Sequence, residues 1–409
     1  MEKLARLDAY LEAHDLASVW FARPNSFAWL AGGDNVVDRE GDIGVGALGY
    51  DGEAVTLLAN TIELERLREE EVPDLESAGV PIETETFPWY AQSLPEALMA
   101  VVDGEPAAAD FDVPDENLER IDPSEIRQPL TETDIERYRE LGRETAAAVE
   151  AVCRELQTDD TEAEVTAALT VSLAAQNIEA PVVLVGGAER AQRYRHYTPK
   201  AVEFGDYVLV SVTTQRHGLH ASCTRAVAFD PPAWLEDHHV TAARVETTAL
   251  AATQAARTWP AEAFAPRERK DGKRAAADGE RTPDDDTERP ATAGDVFGAI
   301  QGAYDRLGFD GEWEKHHQGG AAGFAGREWI ATPDHEAPIV TPMAYAWNPT
   351  VAGAKSEDTV LVTEDGFEVL TTTEDAPMGE PWPTIDARAV SPEFDLELER
   401  PGILGVHDS

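Results

Sequence analysis

HYTPKAVEFGDYVLVSVTTQRHGLHASCTRAVAF, residues 196–229, holds two runs of strand-forming residues on either side of a turn. DYVLVSVTT at 206–214 and TRAVAF at 224–229 are rich in β-branched side chains, which pack well on a pleated surface. HGLHAS at 217–222 has the glycine and short polar residues of a turn. Just upstream, PVVLVGG at 181–187 predicts a further strand. Helices flank these strands. LTETDIERYRELGRETAAAVEAVCREL at 130–156 repeats its apolar residues with helical spacing, and Thr131 with Asp134 forms a box-like N-terminal cap. TDDTEAEVTAALTVSLAAQ gives a second helix, and others are expected over roughly 233–258 and 294–307. Strands interleaved with helices mean an α/β (α+β) chain.

Before residue 128 the pattern repeats on a smaller scale. Residues 1–20 read as an amphipathic helix carrying Leu4, Leu7, Leu11 and Leu16 near one face, followed by a short strand at VWFA, 19–22. In PNSFAWLAGG, residues Pro24, Asn25, Gly32 and Gly33 mark turns. AVTLLAN at 54–60 predicts a strand leading into a helix at IELERLREEE. This organisation gives an α/β domain over 1–128 and a larger one over 129–409. The latter carries strands at DTVLVT, 358–363, and GFEVLTT, 366–372. The stretch APRERKDGKRAAADGERTPDDDTERP, 265–290, lacks apolar periodicity and reads as a loose surface insertion.

Charge narrows the setting. Seventy-nine acidic residues against 33 Lys and Arg leave a formal net charge of −46, and only six of the basic residues are lysine. Such a field repels nucleic acid and anionic membranes. The acids are scattered and do not form a tail, as expected for a cytoplasm of high salt, where repulsion is screened within about 3 Å at 1 M. No run of about 18 apolar residues predicts a membrane helix, and the N-terminus lacks the apolar core of a secretory signal, so a cytoplasmic protein is expected. Cys153 and Cys223 are too few for a disulfide framework and read as buried thiols.

The strands around HYTPKAVEFGDYVLVSV and HGLHASCTRAVAF, together with HHQGGAAGFAGRE, the Asn348-Pro349 pair and GAKSEDTVLVTEDGFEVLT, resemble the creatinase/aminopeptidase-P family of pita-bread hydrolases. That family includes Xaa-Pro aminopeptidase, prolidase and methionine aminopeptidase. VWFARPNSFAWLAGG resembles its smaller domain. The resemblance implies a creatinase-like N-terminal α/β domain before a pita-bread domain, and a homodimer in which the small domain of one subunit covers the pocket of the other. It also implies two bound divalent ions, but the positions matching the family's ligands are Ser211, Ser222, Gly320, Asn348 and Glu357. Only Glu357 keeps its identity. Neutral groups cannot replace three anions and an imidazole around two cations, so no metal and no cofactor is expected.

Creatinase, which works without metal, keeps a histidine upstream of the Gly-Asp pair; here that residue is His196. The resemblance makes His196 the general acid/base, a task suited to imidazole near neutral pH. His316 and His317 enter a glycine-rich run and are expected at the pocket with Asn348 and Trp347. Arg327, at the place of a substrate-contacting histidine in the peptidases, is expected to grip an anionic substrate group, with an Arg327–Glu328 ion pair as the plainer reading. Glu357 is read as a catalytic or orienting carboxylate, or as the partner of Lys355 in a salt bridge that takes over the metals' role. His217, His220, His238 and His239 match no family position and are read as local structural residues. The expected function is metal-free hydrolysis of a C–N bond in a small peptide-like or amide substrate. Alternatives are a non-catalytic pita-bread binding protein and a metal-dependent Xaa-Pro peptidase with other ligands.

Overall fold

The computed structural model describes residues 1–256, 291–373, 381–391 and 393–405; the expected insertion at 265–290 lies outside them. Met1–Arg127 form one compact unit, and Gln128–Ala256 with Thr292–Ser409 form the other. Among the described residues no helix is long and apolar enough to cross a membrane.

The first unit is a mixed sheet of β1 (Ser18–Phe21), β2 (Gly46–Tyr50), β3 (Val55–Asn60), β4 (Ile82–Phe87), β5 (Ala107–Ala109) and β6 (Leu118–Arg120). Their order is β4-β3-β2-β1-β5-β6, with β2 antiparallel to both neighbours and the other pairs parallel. Helices α1 (Glu2–His14), α2 (Pro24–Ala31), α3 (Leu64–Glu70), α4 (Pro73–Ser77) and α5 (Leu94–Val102) accompany it. The stretch read as turns after β1 is instead α2. Pro24 opens the helix, where its fixed φ and missing N–H cost nothing. Phe27, Trp29 and Leu30 are buried, and Gly32, at φ 81°, closes the helix in the left-handed conformation. Those residues were start and stop signals of one short buried helix.

The second unit begins with α6 (Glu132–Arg154), α7 (Glu162–Ala174), β7 (Glu179–Gly187), α8 (Ala188–Arg193), β8 (Tyr207–Arg216) and β9 (Leu219–Ala228). Then follow α9 (Leu235–Ala255), α10 (Ala293–Leu307), β10 (Gly319–Ala322), β11 (Met343–Trp347), β12 (Thr350–Val351) and β13 (Ala354–Lys355). The chain ends with β14 (Val360–Val362), β15 (Phe367–Val369), β16 (Thr384–Arg388), β17 (Glu397–Pro401) and β18 (Ile403–Gly405). Two four-stranded sheets result, β18-β9-β8-β7 and β10-β11-β14-β15. Thr131, Thr161 and Thr292 cap α6, α7 and α10 through reciprocal boxes with Asp134, Glu164 and Asp295. Val149 and Leu169 pack with Val208, Val210 and Val212 in a core that also buries Cys153 and Cys223 as free thiols.

The turn between β8 and β9 is shorter than its sequence suggests. His217 and Gly218 both take positive φ, 52° and 77°, the twist that lets two residues close a hairpin. His220 and Ser222 therefore lie in β9. The register sets Ser211 opposite Thr224 and Thr213 opposite Ser222.

Residues 355–359 join β13 to β14 and are buried throughout. A buried set of charges holds them. Asp358 accepts from Arg225 at 2.9 Å and from Arg400 at 2.8 Å; Arg400 also reaches Glu246 at 2.6 Å, and Arg225 reaches Glu150 at 3.0 Å. Thr371 and the Thr371 carbonyl complete the coordination of Asp358 and Arg225. Burial raises the Glu246 carboxyl, and Arg400 opposes that rise. We predict that Arg400→Met lowers unfolding stability by about 3–5 kcal/mol, because it leaves Glu246 and Asp358 as facing buried acids. Chemical denaturation measures this, and a loss under about 1 kcal/mol would contradict the clamp.

Candidate functional site

The hairpin register puts a row of hydroxyls on one face of β8 and β9. Ser211 Oγ lies 2.8 Å from Thr224 Oγ1 and 2.9 Å from the buried Tyr197 hydroxyl, and Thr213 Oγ1 lies 2.9 Å from Ser222 Oγ. Thr224 donates its one hydroxyl proton to Glu357 Oε2 at 2.9 Å. Ser211 must then donate to Thr224, and Tyr197 to Ser211. The chain of protons runs Tyr197 to Ser211 to Thr224 to Glu357.

Glu357 ends that chain and receives two cations. Lys355 Nζ lies 2.7 Å from Oε2, and Arg327 Nη2 lies 2.8 Å from Oε1. Arg327 Nη1 also donates to Ser222 Oγ at 3.2 Å and to the Gly326 carbonyl at 2.6 Å. All three charged groups are at least nine-tenths buried. Burial by itself would raise the Glu357 carboxyl, but Lys355 and then Arg327 outweigh it and hold the group down at about 2. A carboxyl depressed this far stabilises the fold above its ordinary value of 4.5, and that contribution is lost as pH falls through about 2. Residues 356–359 lie outside regular strand, which lets Lys355 and Glu357 meet although they are two residues apart.

Beside this knot three imidazoles converge. His196 sits exposed between α8 and β8, His316 is buried and His317 is half-buried. His316 Nε2 lies 3.3 Å from His196 Nε2, and the His316 and His317 rings stack at 4.3 Å. Burial, then Lys355, pushes His316 down to about 2; burial, then Arg327, pushes His317 down to about 4. His196 is lowered by burial and by Lys355. All three are neutral rings at neutral pH.

The remaining expected residues are placed as follows. Gly320 lies in β10, where an added Cβ would sit 2.0 Å from the Trp329 carbonyl oxygen, so no side chain fits. Asn348 is buried and its Oδ1 has no partner among the described residues; its side chain makes no bond there to the Glu357 network. Trp347 is fully buried and donates to Thr253 at 3.1 Å, which makes it a core residue. Arg327 pairs with Glu357, while Glu328 accepts from the Phe324 backbone. His220, His238 and His239 each meet a backbone carbonyl: Gly218, Ala352 and Pro401. Sequence reasoning passed over Tyr197, which donates to Ser211, and Thr224, which links Ser211 to Glu357; its place directly before Arg225 was the available signal for Thr224.

The geometry generates a coupling test. In a cycle of Lys355→Met, Glu357→Gln and the double variant, the stability effects are expected to couple by about 1–3 kcal/mol. Arg327→Met with Glu357→Gln should couple likewise. Additive losses measured by denaturation would mean that the ion pairs do not share one site.

Residues 136–271 match the model of metallopeptidase family M24. No curated protein sequence matches. Among solved structures, the prolidase from Pyrococcus horikoshii OT3 superposes with a TM-score of 0.67 at 16% identity, over 91% of this chain and 99% of that one. Dipeptidase PepE from Mycobacterium ulcerans superposes at 0.66 and 18% identity, over 99% and 98%. The N-terminal domain of FACT complex subunit SPT16 from Cicer arietinum superposes at 0.61 and 10% identity, over 90% and 96%. The match over residues 136–271 makes that segment similar to metallopeptidase family M24, and the superpositions show that the chain has the pita-bread fold of these prolidases and dipeptidases.

Proposed function

We propose that this chain is a hydrolase that cleaves a C–N bond in a small peptide-like or amide substrate, without the two-metal centre of its metallopeptidase relatives. The observation that carries this reading is Glu357 between Lys355 and Arg327. At the positions matching the family's ligands the residues do not fit two divalent ions. Ser211 and Ser222 offer neutral hydroxyls already spent on neighbours, a side chain at Gly320 has no room, and Asn348 is neutral. Glu357 is the one carboxylate, and two fixed cations neutralise it.

In this reading His196 takes a proton from an attacking water and returns it to the leaving nitrogen, because its unprotonated exposed ring can do both. His316 and His317 orient it. Asn348 Oδ1 and Arg327 Nε, both buried without a partner among the described residues, supply an acceptor and a donor for substrate amide and carboxylate groups. Glu357 serves as an orienting carboxylate. The solved prolidase and dipeptidase of the same fold support a short peptide as substrate class. The reading extends to a homodimer, on the support of the family resemblance alone, and to a salt-rich cytoplasm away from nucleic acid and membranes, on the support of the acidic charge. A second reading, a binding protein without turnover, draws on Glu357 itself: both carboxylate oxygens are engaged, so it is no base.

Assay of chelator-treated protein on Xaa-Pro dipeptides and small amides in high salt tests this. Hydrolysis should survive the chelator and fall about 10²–10⁴-fold in kcat in His196→Ala, with substrate binding retained. Activity that the chelator removes and Mn²⁺ restores would overturn the metal-free reading. Binding without turnover in the native chain would favour the second reading.

A further inference from the structure

We propose that His196, His316 and His317 form a binding site for a single borderline transition-metal ion, Zn²⁺ by preference, separate from the family's ligand positions. Each residue offers one ring nitrogen, and the three lie within 4.8 Å of one another. Tetrahedral Zn²⁺ with Zn–N distances of about 2.0–2.1 Å sets its ligand nitrogens about 3.3–3.4 Å apart. His196 Nε2 and His316 Nε2 already lie at 3.3 Å. Only the third nitrogen has to close in, and the exposed His196 and half-buried His317 have the freedom to do so.

The arrangement is otherwise hard to account for. Side chains of consecutive residues in extended backbone point apart, yet His316, with φ −156° and ψ 145°, stacks its ring on that of His317. The Nδ1 atoms of both rings are buried without a hydrogen-bond partner among the described residues. The rings are unprotonated, the form that ligates. The surroundings choose the kind of ion. Lys355, Arg327 and Glu357 leave one positive charge in excess nearby, which opposes a hard cation that needs carboxylates. An ion held by imidazole donation tolerates it.

The hydrolysis proposed above uses His196 with its nitrogen free; the metal-bound ring is the alternative state of the same residue. The test therefore reads binding and not activity. Zn²⁺ alone is titrated into chelator-treated full-length chain by calorimetry, and Co²⁺ alone is followed by its visible ligand-field absorption. One ion per chain and a tetrahedral Co²⁺ spectrum are expected. His196→Ala, an exposed change that does not threaten folding, should weaken Zn²⁺ by at least about tenfold, the lower bound of what even an outer-shell partner contributes. His316→Ala and His317→Ala should do the same. No binding by the native chain, or affinity unchanged in His196→Ala, would overturn the site.

Discussion

Asp358 between Arg225 and Arg400 is the interaction on which the candidate site depends. Taking these charges out of water is expensive, and their mutual coordination is what makes it tolerable. Arg225 comes from β9 and Arg400 from β17, while Glu150 and Glu246 come from α6 and α9. Five charged side chains from distant parts of the chain therefore converge behind one short segment. With Asp358 fixed on one side of that segment, Lys355 and Glu357 are presented on the other.

What they present is a carboxylate that cannot change partners cheaply. In a metal-bound relative the family pattern gathers several carboxylates around cations. In the proposed reading serines stand at two of those places, and Lys355 and Arg327 balance the charge of Glu357. Facing carboxylates without counter-ions would raise each other's proton affinity and strain the fold. The same physical demand, neutralising buried negative charge, is met by side chains from the chain itself.

Much of the fold was legible in the sequence because local signals agreed with the final packing. The Thr131 and Asp134 box opens α6, and Val-rich runs became β7 and β8. The misreadings came where one residue type serves two purposes. Pro24 and Gly32 mark a helix's two ends as readily as turns. His217 carries a positive φ that its side chain does not advertise, so the turn was drawn too long. The conjunction of Lys355 with Glu357 was readable from adjacency, and Arg327 was placed near the site through a motif. Its bond to Glu357 was not, since it closes across 30 residues. Arg400 and Glu246 were missed altogether. Glu246, followed in α9 by the apolar and hydroxyl run TTALAAT, and Glu150 in the run AAAVEAVC were the visible hints that acids sit on buried helix faces.

The central claim is that two fixed cations hold Glu357 as an anion where the family pattern places metal. The most direct measurement is a carbon-detected NMR titration of the Glu357 carboxyl in protein kept free of metal. The account predicts a midpoint far below the ordinary 4.5, near about 2, that rises when Lys355 is replaced by Met. A midpoint at or above 4.5, or one indifferent to Lys355, would contradict it.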